Sequence, residues 1–269
     1  ANSDGLHILW LEDLSDAPQP PWNVDHFINT ANHLGQFNGF HFVNKTELPI
    51  NVTQDAYHLR MSAFEWHSQF SKLMEIPNDP IVRRVFGDTP LELGLEYAAL
   101  FERSLEVAKL LPHSLSFGDS HARNLFPLGS ETVGIDWASI AYDPIGCDVG
   151  VLIGSPLSFT DNERQLAAQR EQEIYDSYVG GLKSSGWTGN LDHVRLGFFL
   201  QFSHYVLRPA FIPLNFEQLK SNDVRRPWVE KRSGVPIDEL PELSAQVVAL
   251  IPKYAEEFKQ LLERVESSL

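Results

Sequence analysis

Phe117-Gly118-Asp119-Ser120-His121-Ala122-Arg123-Asn124-Leu125 and, a little further on, Ile135-Asp136-Trp137 gather two aspartates, an asparagine and a histidine without any helical period. Gly, Asp, Asn and Pro punctuate residues 113–150 throughout, and the apolar runs Leu125 to Leu128 and Val133 to Ile135 suit a small hairpin. Asn124 follows Asp119 by five residues, which puts the two at opposite ends of one loop; Asp136 follows it by seventeen, enough for a hairpin to bring it back. Phosphoryl transfer needs that inventory: one carboxylate to orient and deprotonate an attacking hydroxyl, and a separate Asp with an Asn to hold Mg²⁺ on nucleotide phosphates. Singly, each residue has a plainer reading. An Asp after Gly is most often a turn or cap residue, Asn124 can close a turn, and a lone His121 is more often a buried hydrogen-bonding group than a proton carrier. The combination and its spacing carry the argument.

Outward from this segment the pattern is helical. Asn23 is placed to cap a helix through Val24, Phe27, Ile28, Ala31, Leu34 and Phe37, with Gly39 past its end. Leu59, Ala63, Trp66, Phe70 and Leu73 mark a second helix, and Thr89-Pro90-x-Glu92 has the form of a capping box opening a third that ends near Pro112. Thr160 and Glu163 form another box before a helix through Ala167, Ile174, Tyr178 and Leu182, closed near Gly180 and Gly181. Asn190 starts a helix running to Arg208, and a last one begins near Pro241, with a kink expected at Pro252. Gly146, Gly150 and Gly154 fall four apart, predicting the close-packing face of a buried helix capped by Asp148. A strand is expected at Leu6 to Leu11, with a proline-rich loop after it. The fold class is therefore mainly α with a small β insert.

Composition narrows the function classes. At 43% apolar and 21% charged, the 269-residue chain is an ordinary globular one, and 21 Lys plus Arg against 36 Asp plus Glu leave a net charge of −15. That balance argues against nucleic acid and against docking on anionic lipid, and suits a cationic substrate better than an anionic one. A single cysteine, Cys147, builds neither an internal disulfide nor a thiolate metal site. With no secretory pattern and no apolar run near the roughly 18 residues of a membrane span, a cytoplasmic location is expected.

FGDSHARNLF and GIDWASIAYDPIGCDVG resemble the aminoglycoside phosphotransferase and choline kinase-like family, whose catalytic loop reads H-G-D-x-H-x-x-N and whose metal segment reads I-D-W or I-D-F. The resemblance is close over these segments and looser elsewhere. It implies a protein kinase-like C-lobe: residues 1–15 as hinge strand and loop, 16–269 as one helical lobe, catalytic core at about 113–150. It implies Asp119 as catalytic base, Asn124 and Asp136 as Mg²⁺ ligands, His121 as a loop-ordering residue, and the backbone of Glu12 and Asp13 as a hinge meeting the base of ATP or GTP. The substrate would be a small molecule's hydroxyl. Phe117 stands where the family has His, so the loop's brace must be supplied differently, and Asp143 to Asp148 is one residue longer than the family's D-P-x-x-D. No Gly-rich loop and no strand lysine precede Leu6, so the ATP-covering lobe is expected to be missing, leaving an edge for that lobe or for a second copy of the chain. Two other readings stand beside this one. The chain could be a non-catalytic, kinase-like binding module. Alternatively, F-G-D-S-H looks like the nucleophile block of SGNH-type acyl hydrolases, with Ser120 attacking an ester; that site needs a later D-x-x-H, which does not follow.

Overall fold

The computed structural model describes residues 13–45, 52–54, 64–158 and 161–269, and its fold is mainly helical with a small β component. Among these residues no helix is long and apolar enough to cross a membrane. The expected strand Leu6 to Leu11, Glu12 and Thr160 lie outside the described residues.

The core forms around α8 (Leu191–Leu207), which opens on Asn190, whose side chain accepts from the Asp192 amide. Its sequence is apolar on nearly every face, and it is buried all round, as such a helix must be. On one side lies α5 (Cys147–Gly154), where the glycine spacing has its expected use: a Cβ on Gly150 would sit 2.4 Å from the Phe198 carbonyl oxygen, and one on Gly197 2.0 Å from that of Ile145. On the other side lies α12 (Ile251–Ser268), whose Phe258 stacks on Phe199 with centroids 5.0 Å apart. Helices α2 (Trp66–Met74), α3 (Pro80–Phe86), α4 (Leu91–Ala108) and α11 (Leu240–Val248) complete this bundle.

A second pair, α1 (Val24–Asn44) and α7 (Glu171–Ser184), carries the β elements. These helices meet at glycines: a Cβ on Gly35 would lie 2.0 Å from the Tyr178 carbonyl oxygen. Against α1 pack a mixed sheet and a hairpin. In the sheet, β5 (Ala141–Pro144) runs antiparallel to β2 (His113–Ser116), with Ser114 opposite Asp143, and parallel to the short β1 (Thr53–Gln54). The hairpin pairs β3 (Leu125–Leu128) with β4 (Glu131–Gly134), as the two apolar runs predicted.

Several expectations change. Gly39 does not end α1, which continues to Asn44, because Gly39 is another contact glycine: its Cβ would meet Ser185 and Leu182. The Thr89 box does not form; Pro90 holds the N-cap position and no side chain caps the helix. The helix expected from 160 to 182 is two, α6 (Asp161–Gln169) and α7, broken at Arg170. Pro252 does not kink a long helix but sits in the first turn of α12, where its missing amide costs nothing. Helices α9 (Ile212–Ser221) and α10 (Arg225–Ser233) carry no sequence expectation at all.

Candidate functional site

β2 delivers the chain into the 117–124 loop through Gly118, whose φ of +79° favours glycine and whose Cβ would lie 2.2 Å from the Ser139 carbonyl oxygen. The loop then closes on itself, the His121 amide donating to the Asp119 carbonyl and the Asn124 amide to that of His121, each at 2.9 Å. The Asn124 carbonyl accepts from the Ile135 amide at 2.9 Å, so the hairpin returns the chain, and Asp136 with it, to the end of the loop.

Asn124 is buried and donates its Nδ2 to the Asp119 carboxylate at 3.0 Å and to the Asp119 carbonyl at 3.2 Å. That leaves its Oδ1 as the oxygen turned to other partners. His121 Nδ1 accepts from the Arg123 amide at 3.2 Å, and its Nε2 lies 3.5 Å from Asp119 Oδ2, which suits an ordering role. The Asp119 side chain remains 40% exposed. Asp136 is exposed and left-handed, at φ 59° and ψ 59°, a conformation that Asp tolerates better than most residues and that recurs at functional positions. Asp13 lies in an exposed turn, its Oδ1 accepting from the Ser15 amide at 3.0 Å, which holds its carboxyl below the usual range.

Beneath the loop sits Asp148, buried in the first turn of α5. It does not cap that helix; Gly146 holds the cap position. Its carboxylate instead accepts four hydrogen bonds at 2.9 Å: Oδ1 from Ser116 Oγ and the Gly118 amide, Oδ2 from the Phe117 amide and Asn38 Nδ2. Asn38 is held in turn by Tyr178, whose hydroxyl donates to Asn38 Oδ1 at 2.6 Å; burial, and then the Asp148 charge, push the Tyr178 phenol far up. The loop is thus braced at Phe117: its amide is tied to Asp148, and its ring is buried against Trp137, edge to face at 4.6 Å.

Ser120 is fully buried and donates its hydroxyl to the Asp148 carbonyl at 2.6 Å. Among the described residues no three His, Cys, Asp or Glu side chains form a metal-ligating cluster. A Mg²⁺ held largely by nucleotide phosphates needs only one or two protein carboxylates, and the Asn124 and Asp136 oxygens fit that hard-donor requirement. No protein family and no curated protein matches the chain.

Arginine crowds the region, against the sign of the whole chain. Burial lowers the pKa of Arg232; the charges of Arg208 and Arg123 act in the same direction, while Tyr205 and Asp119 oppose them. Burial raises the Glu163 carboxyl, against a backbone hydrogen bond at Trp22 and the charge of Arg123. His204 is buried against Phe64, Trp66 and Tyr205 with Nδ1 unpartnered, and burial, then the Arg208 and Arg232 charges, bring it down to about 3. The sequence reading missed Asn38, Tyr178 and these arginines; only Asp148 carried a signal, its place in the Asp143 to Asp148 segment.

Proposed function

We propose that this chain is a protein kinase-like phosphotransferase that moves the terminal phosphoryl group of ATP or GTP to a hydroxyl of a small molecule. One observation supports this above the rest: Asn124 donates to the Asp119 carboxylate and, through its carbonyl, holds the chain at Ile135 next to Asp136. One side-chain bond and one backbone bond of Asn124 thereby tie the candidate base to one candidate metal ligand and to the residue before the other. Asp119, partly exposed, accepts the hydroxyl proton as the substrate oxygen bonds to phosphorus and the bond to the nucleoside diphosphate breaks. Asn124 Oδ1 and the Asp136 carboxylate would hold Mg²⁺, which when bound neutralises charge on the phosphates. Asp148 positions: it fixes the amides on either side of the Phe117–Gly118 bond, and Asp119 is the next residue.

The test is titration of Mg-ATP and Mg-GTP together with a coupled transfer assay over a panel of alcohols. It is run on this chain and on the chain extended by whatever its gene encodes before Ala1. Asp136→Ala should weaken Mg-nucleotide binding; Asp119→Ala should leave that binding nearly unchanged and slow transfer by at least about 100-fold. Nucleotide binding indifferent to Asp136→Ala, or transfer indifferent to Asp119→Ala, would sink the assignment. Binding without transfer in either chain would return the non-catalytic module.

A further inference from the structure

Six arginines of this acidic chain meet a carboxylate. Arg84 pairs with Glu242, Arg103 with Glu266, Arg170 with Glu173, Arg226 with Glu230, Arg264 with Asp192, and Arg195 with both Glu171 and Glu257. Arg208 and Arg225 do not: among the described residues, neither guanidinium has a carboxylate within ion-pair distance or a hydrogen-bond acceptor. Both line a cavity of about 520 Å³ at the turn before α9, α10 and α11, and Arg232 lines it as well. The Arg232 guanidinium lies 5.1 Å from the centroid of the Trp228 ring, another wall of the cavity, and the remaining walls are largely apolar, Ile212 and Leu243 among them. A second cavity of about 630 Å³ shares Arg208 and Arg225 and adds Lys72, for which the same lack of a carboxylate partner holds.

Arg208 and Arg225 are like charges bordering one apolar hollow, both exposed and neither with a carboxylate beside it among the described residues. An arrangement of this kind is relieved by an anion, and a carboxylate meets guanidinium with two parallel hydrogen bonds. The apolar walls and the Trp228 face call for an apolar body on the same molecule, and the volume falls within the ~300–1,000 Å³ of small-molecule sites. The charges of Asp119 and Arg123 also act on Arg232, one wall of the cavity.

We propose that this cavity is the acceptor-substrate site, and that the substrate is a hydroxylated carboxylic acid with a ring-sized apolar frame, gripped by Arg208 and Arg225. The proposal rests on the phosphotransferase reading for its role and on local geometry for its charge. It reverses the expectation drawn from net charge, because the field that a ligand meets is that of the residues around it.

The test uses three indole compounds that differ in charge: indoleacetate, tryptophol and tryptamine. Each is titrated calorimetrically into the full chain, into Arg208→Gln/Arg225→Gln, and into Arg208→Lys/Arg225→Lys. Indoleacetate should bind at least about tenfold more tightly than the alcohol or the amine. The Gln pair should abolish that preference, and the Lys pair should keep part of it. No binding of any probe, equal binding of the three, preference for the amine, or an anion preference untouched by the Gln pair would each overturn the proposal. Mg-ATP titrated into the same samples and into Asp136→Ala reads the underlying function separately. Mg-nucleotide binding without anion preference removes the cavity proposal alone. Anion preference without Mg-nucleotide binding leaves an anion site and removes its role as acceptor site.

Discussion

Asp148 and Arg195 are both charges taken out of water, and the molecule stabilises them by opposite means. Arg195 lies between two carboxylates, Glu171 at 2.5 Å and Glu257 at 2.6 Å, and under three rings, Tyr175, Phe198 and Phe199, with centroids 4.3–5.0 Å away. Burial works against its charge, but the two carboxylates outweigh burial and raise its pKa. Among the described residues, Asp148 has no cation against it. Four neutral donors share its charge, two of them backbone amides of the loop. An ion pair joins helices and can be exchanged for well-packed apolar groups; a carboxylate that collects amides fixes backbone, and no apolar group can do that. Helix α8 thus carries a replaceable joint, while α5 carries a template.

The largest effect should come from Asp148→Ala. It strands four donors, and should cost roughly 3–5 kcal/mol in urea unfolding while stripping hydrogen-exchange protection from the 117 and 118 amides. Arg195→Met, which leaves the buried Glu171 with only Lys253 at 3.9 Å, should cost about 3 kcal/mol but leave those two amides protected. Adding Glu171→Leu to Arg195→Met should recover most of the loss. If instead a hydrophobic substitute at 148 recovers stability and keeps the loop amides protected, the distinction between joint and template collapses.

Acid should act through His204. Its pKa is 6.5 when free and about 3 in the fold, so between these values the unfolded chain binds the extra proton. Stability is then full above about pH 6.5 and falls with pH, by up to roughly 1.4 kcal/mol per unit, until about pH 3. His204→Phe should flatten that slope in urea titrations at several pH values; an unchanged slope would place the acid response elsewhere. The smallest effect, about 1 kcal/mol, is expected for Asn190→Ala, which removes the cap of α8 and touches neither buried charge.

What could be read from the sequence was local. Asp119, Asn124 and Asp136 belong to one loop and the hairpin after it, so their spacing announces their proximity. Asn23 and Asn190 cap the helices they were expected to cap. Gly39 misled because a glycine that ends a helix and one that lets another helix approach look alike until the neighbour is known. Asn38 and Tyr178 gave no signal, since their partners lie 110 and 140 residues away. The cavity arginines stayed hidden for a related reason: α9 and α10 have few buried positions, so no periodic apolar stripe marks the helices that form its walls.

The ties around Asp148 also set a timetable. Asn38, Ser116 to Gly118, Asp148 and Tyr178 form one hydrogen-bonded set. A chain growing from its N-terminus would hold every residue of the Asp119–Asn124–Asp136 segment well before it held the last member of that set. Until α7 is made and docked on α1, Asn38 lacks the Tyr178 hydroxyl that holds it against Asp148. The emerging protein should therefore acquire a defined loop only late in synthesis, when Tyr178 closes behind Asn38.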